Sequence, residues 1–299
     1  MPHDERAAIL SELTPGHTIV EPGDRTAPFV FCSPHSGRHY PEILRAASRL
    51  DALALRKSED SYVDELFAGV AALGAPLLAA RFPRAYVDVN REPYELDPEL
   101  FGRQLPSYAN GQSVRVAGGL GTIARIVADG EEIYLNPPSL AAALERIEQL
   151  YRPFHAALAG LLERTRSQFG IAILIDCHSM PSAAMSPSGG ARPDFVIGDR
   201  FGSSCDQRLT RMVRDQLGRF GYHVQLNRPY AGGYITEHYG RPHGGVHALQ
   251  IEINRALYLD EPSLTRTAGF AHLQADLTTL CQRLFAEHAA STHRRAAAE

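Results

Sequence analysis

Two histidines in this chain each follow an apolar run and sit among small, turn-forming residues: His35 in "FCSPHSG" (31–37) and His178 in "LIDCHS" (174–179). Two imidazoles joined by one carboxylate form the donor set of a catalytic zinc, which takes three protein ligands and keeps a position open for water. The carboxylate would come from "SEDSYVDELF" (58–67), which offers Glu59, Asp60 and Asp64. Asp60 is placed at a junction between two expected helices, where it could reach a metal or cap a helix. Asp64 falls inside the second helix, and Glu59 faces another direction. Strand alternation puts Asp176 and His178 on one face and Cys177 on the other. Cys177 is therefore a poor co-ligand, and Asp176 could orient the His178 ring or line the site itself.

A general base and an anion grip complete the candidate chemistry. In "LQIEINR" (249–255), Ile251 and Ile253 flank Glu252. A carboxylate held among aliphatics takes up a proton more readily, which suits a base beside an activated water; an ion pair with Arg255 is the structural alternative. "DVNREP" (88–93) offers Asn90 and the planar, bidentate donor Arg91 for a substrate carboxylate. "GLGTIAR" (119–125) supplies Arg125 for a second carboxylate or for polarising a scissile carbonyl. "NRPYAGGYITEHYGRPHGG" (227–245) adds Arg228, Arg241 and His243, with enough glycine for a mobile flap.

These residues need strands to carry them. "APFVFCS" (27–33) predicts a buried strand, and "IAILID" (171–176) a central one, apolar on both faces and ending at "CHSMPS". "DFVIGD", "YHVQLN" and "VHALQIEIN" predict three more. Helical spacing covers 41–60, a second short helix 61–76, and a long helix from an N-cap at Ser139 to Gly170 with a possible kink at Pro153. Further helices are expected over 205–219 and 262–288, two extended pieces over 76–93, a long loop over 102–122, and a frayed tail from about 290. Strands alternating with helices predict one α/β domain over 1–299, with a mixed, mostly parallel sheet flanked by helices on both faces. Ligands in such sheets collect beyond the carboxyl ends of the strands, where His35, His178 and Glu252 are expected.

Composition removes other classes. The formal net charge is −4, and no Lys/Arg block interleaves with aromatics, so nucleic acid is not the expected partner. No apolar run reaches the length of a membrane span, and "MPHDERAAIL" lacks the pattern of a signal peptide, so a soluble cytoplasmic protein is expected, its self-association left open. Four scattered cysteines without CxxC spacing predict reduced, buried thiols.

Taken in order, "SPHSG", "EDSYVD", "YVDVNREP", "DCHSMPS", "FVIGDRFGSSCD", "NRPYAGGYITEHYGRP" and "GVHALQIEINRALY" resemble the N-formylglutamate amidohydrolase family over most of the chain. The resemblance implies a metal-dependent amidohydrolase that releases formate and glutamate from N-formyl-L-glutamate in one route of histidine degradation. It implies a fold similar to the zinc carboxypeptidases, one Zn²⁺ per chain on His35, Asp60 and His178, and Glu252 as base. Asn90 and Arg91 match the family's substrate-carboxylate motif, while Arg125, Arg228, Arg241 and His243 remain candidates for the second carboxylate. Many relatives carry a Trp directly after the residue matching Asp60; this chain has Ser61 there and no Trp at all, which leaves Glu59 against Asp60 open. Hydrolysis of another N-acyl amino acid or a carboxypeptidase-like substrate is the alternative within the class. Outside it stands a non-catalytic binder of acidic amino acids, for which a carboxylate facing an anionic ligand would only weaken binding.

Overall fold

The computed structural model describes residues 5–102, 105–183 and 192–296. Its main sheet has seven strands: β1 (His17–Val20), β2 (Phe29–Ser33), β3 (Leu77–Ala80), β4 (Ala172–Met180), β5 (Phe195–Gly198), β6 (Val224–Leu226) and β7 (Val246–Asn254). Their spatial order is β1-β3-β2-β4-β7-β5-β6. β2 with β4, β4 with β7, and β5 with β6 pair parallel, while β5 runs antiparallel to β7. This is the expected mixed, mostly parallel sheet flanked by helices.

In chain order the α-helices among the described residues are α1 (Glu5–Glu12), α2 (Glu42–Ala47), α3 (Ala52–Arg56), α4 (Val63–Leu66), α5 (Pro98–Phe101) and α6 (Val114–Ala117). They continue with α7 (Leu140–Arg146), α8 (Arg152–Phe169), α9 (Gln207–Arg219), α10 (Tyr234–Tyr239) and α11 (Gly269–Ala296). Several differ from expectation for identifiable reasons. The helix predicted over 41–60 breaks in two, because Ser48 bridges to Tyr134 and its hydroxyl donates to the Ile133 carbonyl, after which Asp51 caps α3 through the Ala54 N–H. The helix predicted over 61–76 shrinks to α4 and a short 3₁₀ turn, entered through Tyr62 in the left-handed region. Only β3 forms in the stretch expected to hold two extended pieces. Ser139 caps α7 through the Ala142 N–H, and a π turn at Ile147–Tyr151 precedes Pro153; a proline ring crowds the carbonyl four residues back, which a wider turn relieves. α11 starts seven residues later than predicted and continues through Ala296, so the tail expected to fray is helical there, and only 297–299 fall outside the described residues.

The residues group into two compact units. The first comprises 1–18, 34–61 and 79–159. At its heart the buried Arg146 donates to Glu5 at 2.6 Å, to the Tyr86 carbonyl and to the Tyr134 hydroxyl, and stacks 4.0 Å over the Tyr86 ring. Glu5 also accepts from the Tyr86 hydroxyl. Removing one member of such a pair strands the other charge in the interior. Arg146→Ala is expected to cost about 3–5 kcal/mol, read as a lower urea midpoint at unchanged slope; a shift below about 1 kcal/mol would show that the cluster is not an anchor of this unit.

The second unit comprises 19–33, 62–78 and 160–299. One face of its strands is apolar throughout: Phe29 and Phe31 of β2, Ile173, Ile175 and Cys177 of β4, Leu249, Ile251 and Ile253 of β7, and Phe195 and Ile197 of β5. Leucines of α11 and α9, with Val63 and Leu66 of α4, close this core, and Phe285 stacks on Phe29 at 4.6 Å. The four cysteines are reduced and buried. No helix among the described residues is long and apolar enough to cross a membrane.

Candidate active site

β4 and β7 have two chemically distinct faces. In their parallel register Asp176 pairs with Gln250 and His178 with Glu252. These four share the face opposite the apolar core, because side chains alternate along a strand and paired residues point the same way. β4 extends to Met180, so His178 lies within the strand and not past its end at Asp176, where the sequence placed it. Glu252 is likewise inside β7, and its environment differs from the one predicted. Ile251 and Ile253 point to the core, while Glu252 looks along the polar face, where Gln250 Nε2 donates to its Oε1 at 2.9 Å. Arg255, its structural alternative partner in the sequence, donates to Ser179 Oγ at 3.2 Å. Asp176 Oδ1 stands 3.0 Å from His178 Nε2, and its Oδ2 accepts from Thr236 of α10. The approach lacks hydrogen-bond alignment, so Asp176 faces the ring as a neighbouring carboxylate.

His35 lies two residues beyond β2, in a turn pressed against the chain. A Cβ on Gly37 would overlap the Phe82 carbonyl, which is why glycine closes "SPHSG". The Asp60 N–H donates to the His35 carbonyl at 3.0 Å, fixing the two residues side by side. The His35 ring approaches Asp88 Oδ1 through Nε2 at 2.8 Å and Asp60 Oδ2 through Nδ1 at 3.5 Å. Glu59 is used elsewhere: its carboxylate accepts from the Tyr40 hydroxyl, the Arg56 guanidinium and Ser61 Oγ. Ser61 therefore helps to hold Glu59 in place.

His35, Asp60 and His178 are all buried, and each presents one donor atom within 4.8 Å of the others. Two donors at about 2.0–2.1 Å from a common tetrahedral ion would stand about 3.4 Å apart, and the 3.5 Å between His35 Nδ1 and Asp60 Oδ2 suits that edge. Two imidazoles and a carboxylate are also the chemical set such an ion takes. The residues present therefore fit a metal.

Asp88 was not singled out in the sequence, although it opens the "DVNREP" stretch. Besides His35 it accepts from the Asn90 N–H and from Arg84, each at 2.8 Å, and lies 3.6 Å from Arg91. Burial opposes its charge, but Arg84 and Arg91, and then His35, hold its carboxyl well below the ordinary range. As an acceptor it requires a proton on His35 Nε2, which leaves Nδ1 to act as a ligand. Arg91 is largely buried and brought down to about 10 by burial, with Asp88 opposing the shift and Arg84 and Arg115 adding to it, so it stays cationic at neutral pH. Its guanidinium donates to the carbonyls of Leu120 and Asn90. Tyr151 and His155 pin the same segment through the Arg91 and Val89 carbonyls.

The other predicted anion-binding residues each have surroundings of their own. Arg125 is clasped by Asp97 and Glu99 at 2.9 Å each and by Glu132 at 3.8 Å, which offsets its charge locally. Arg228 is exposed. Arg241 donates to the Glu237 and Gly240 carbonyls, and with the exposed His243 it lines an open groove of about 750 Å³ that also includes Arg200 and Glu237.

The family model described as N-formylglutamate amidohydrolase matches residues 27–259, running through segments of both units. An N-formylglutamate deformylase from Pseudomonas aeruginosa is 30% identical over 263 residues, covering 87% of this chain and 90% of that protein. Another from Pseudomonas putida is 31% identical over 237 residues, covering 78% and 82% respectively. The crystal structure of N-formylglutamate amidohydrolase from Ralstonia eutropha JMP134 superposes with a TM-score of 0.85 at 36% identity, over 91% of this chain and 98% of that one. Because that family model spans most of the chain and these relatives match it over most of their length, the chain belongs to the N-formylglutamate amidohydrolase family.

Proposed function

We propose that this protein hydrolyses the formyl amide of N-formyl-L-glutamate to formate and L-glutamate, using a zinc ion held by His35, Asp60 and His178. The observation that carries the reading is the buried two-histidine, one-carboxylate group in a chain whose relatives are named as N-formylglutamate deformylases. When bound, zinc would supply Lewis-acid polarisation of the amide carbonyl and acidify a water molecule. Asp60 and the two imidazoles are buried, so their orientation does not depend on mobile side chains. Asp88 keeps the His35 ring turned as ligation requires, and Asp176 lies beside the His178 ring. Glu252, paired in register with His178, takes a proton from the attacking water and passes it to the departing glutamate nitrogen. Asn90 and Arg91 grip one substrate carboxylate, supported by the cationic, largely buried guanidinium of Arg91. Release of glutamate and formate fits a step of histidine breakdown.

Formate release from N-formyl-L-glutamate tests the reading, with the N-acetyl and longer N-acyl glutamates run in parallel. Turnover of the formyl compound is expected to exceed that of the acetyl compound by at least about tenfold, the discrimination a closed apolar pocket achieves per added carbon. Equal or faster turnover of the longer acyl groups would make this a general N-acyl amino-acid hydrolase. Binding of N-formyl-L-glutamate without formate release from the metal-loaded protein would make it a binding protein.

A further inference from the structure

Gln250 is buried on the polar face of β7, and both ends of its amide are committed. Its Oε1 accepts from the Gly233 N–H at 2.8 Å, and its Nε2 donates to Glu252 Oε1 at 2.9 Å. An amide can be turned over in place, but here only one orientation works: a backbone donor faces one end and a carboxylate acceptor the other. The direction of the bond to Glu252 is thus dictated by Gly233.

Gly233 is itself fixed. Gly198, at the end of β5, approaches the 231–232 peptide so closely that a Cβ would stand 2.7 Å from Ala231 C and Gly232 N. The start of the same segment is clamped by Asn227, whose Oδ1 accepts from the Asp199 N–H and whose Nδ2 donates to Asp199 Oδ1 at 2.8 Å. Arg200 adds its N–H to the Ala231 carbonyl. The start of the glycine-rich stretch packs against the end of β5 and delivers one N–H to one side chain.

We propose that Gln250 is a positioning residue that orients the Glu252 carboxylate towards its proton-transfer geometry, and that the seated 227–233 segment sets the direction in which Gln250 donates. The inference rests on the reading of Glu252 as the base. It predicts that losing the Nε2 donor impairs proton transfer and leaves substrate binding alone.

The test compares Gln250→Met, similar in length and without a donor, in the wild-type and Glu252→Gln backgrounds of the zinc-loaded full-length protein. In the wild-type background kcat for formate release is expected to fall about ten- to a hundredfold, part of what a positioned base contributes, with KM within about twofold and metal content unchanged. In the Glu252→Gln background the same substitution should have little further effect, since residues acting through one another are not additive. If Gln250→Met does not fold, Gln250→Glu keeps the acceptor for Gly233 and replaces the donor with an oxygen, and the same loss of kcat is expected. An equal loss in both backgrounds, or a rise in KM alone, overturns the positioning role. If Glu252→Gln retains wild-type kcat, the base assignment fails first; if it loses kcat and Gln250→Met does not, only the present inference fails.

Discussion

Glu252→Gln is expected to lower kcat for formate release by about 10²–10⁴-fold, the range over which a positioned acid–base group contributes, while the protein still folds and carries its metal. The substitution is nearly isosteric, and the side chain lies on the polar face of β7, away from the packed core that includes Ile251 and Ile253. An amide can still meet the donor of Gln250 by its carbonyl oxygen, so the local hydrogen bond survives. What disappears is the capacity to take a proton from water and return it to the leaving nitrogen. KM should change little, because the proposed carboxylate grip at Asn90 and Arg91 belongs to a different segment. Steady-state kinetics with elemental analysis of the same sample decides the matter, and near-wild-type turnover would remove Glu252 from the mechanism.

Removal of metal should have the next largest effect. Chelation is expected to abolish formate release, zinc should restore it, and elemental analysis should find about one metal per chain, as a three-ligand catalytic site holds. His178→Ala should lose both metal and activity. Asp88→Asn is expected to weaken metal affinity about 10–100-fold, the usual effect of mutating the residue that supports a ligand, measured by competition with a chromophoric chelator. The asparagine keeps an acceptor for His35 Nε2 but drops the charge that Arg84 and Arg91 surround. Full activity after stripping to undetectable metal would refute the metal reading, whereas tight metal with no formate released would leave the metal site in place and shift the question to the substrate.

Much of the site was legible because chemistry-bearing residues interrupt apolar runs. His35, His178 and Glu252 stand out for that reason, and alternation alone separated Asp176 and His178 from Cys177. The residues that steady them were harder to see. Asp88 is one acid in a polar stretch, and its importance comes from His35, which is 53 positions away in the chain. Gln250 is an inconspicuous amide in a strand whose apolar partners dominate the pattern. Glu59 and Asp60 could not be separated by local sequence, since what occupies Glu59 includes Tyr40, 19 positions away. The helical misreadings have the same origin: Ser48 leaves helical pairing for a bridge to Tyr134, a partner that helical periodicity does not encode.

The two-faced character of β4 and β7 also limits how this protein can change. Deleting or inserting one residue between Ile173 and Ser179 would rotate everything beyond it by half a strand period. Cys177 or Ser179 would then occupy the position of His178, and the imidazole would enter the apolar layer. No such indel could trade some activity for stability, because both would be lost together. Length variation in descendants of this sequence should therefore collect in connections, while these two strands vary only by substitution, and on the polar face hardly at all.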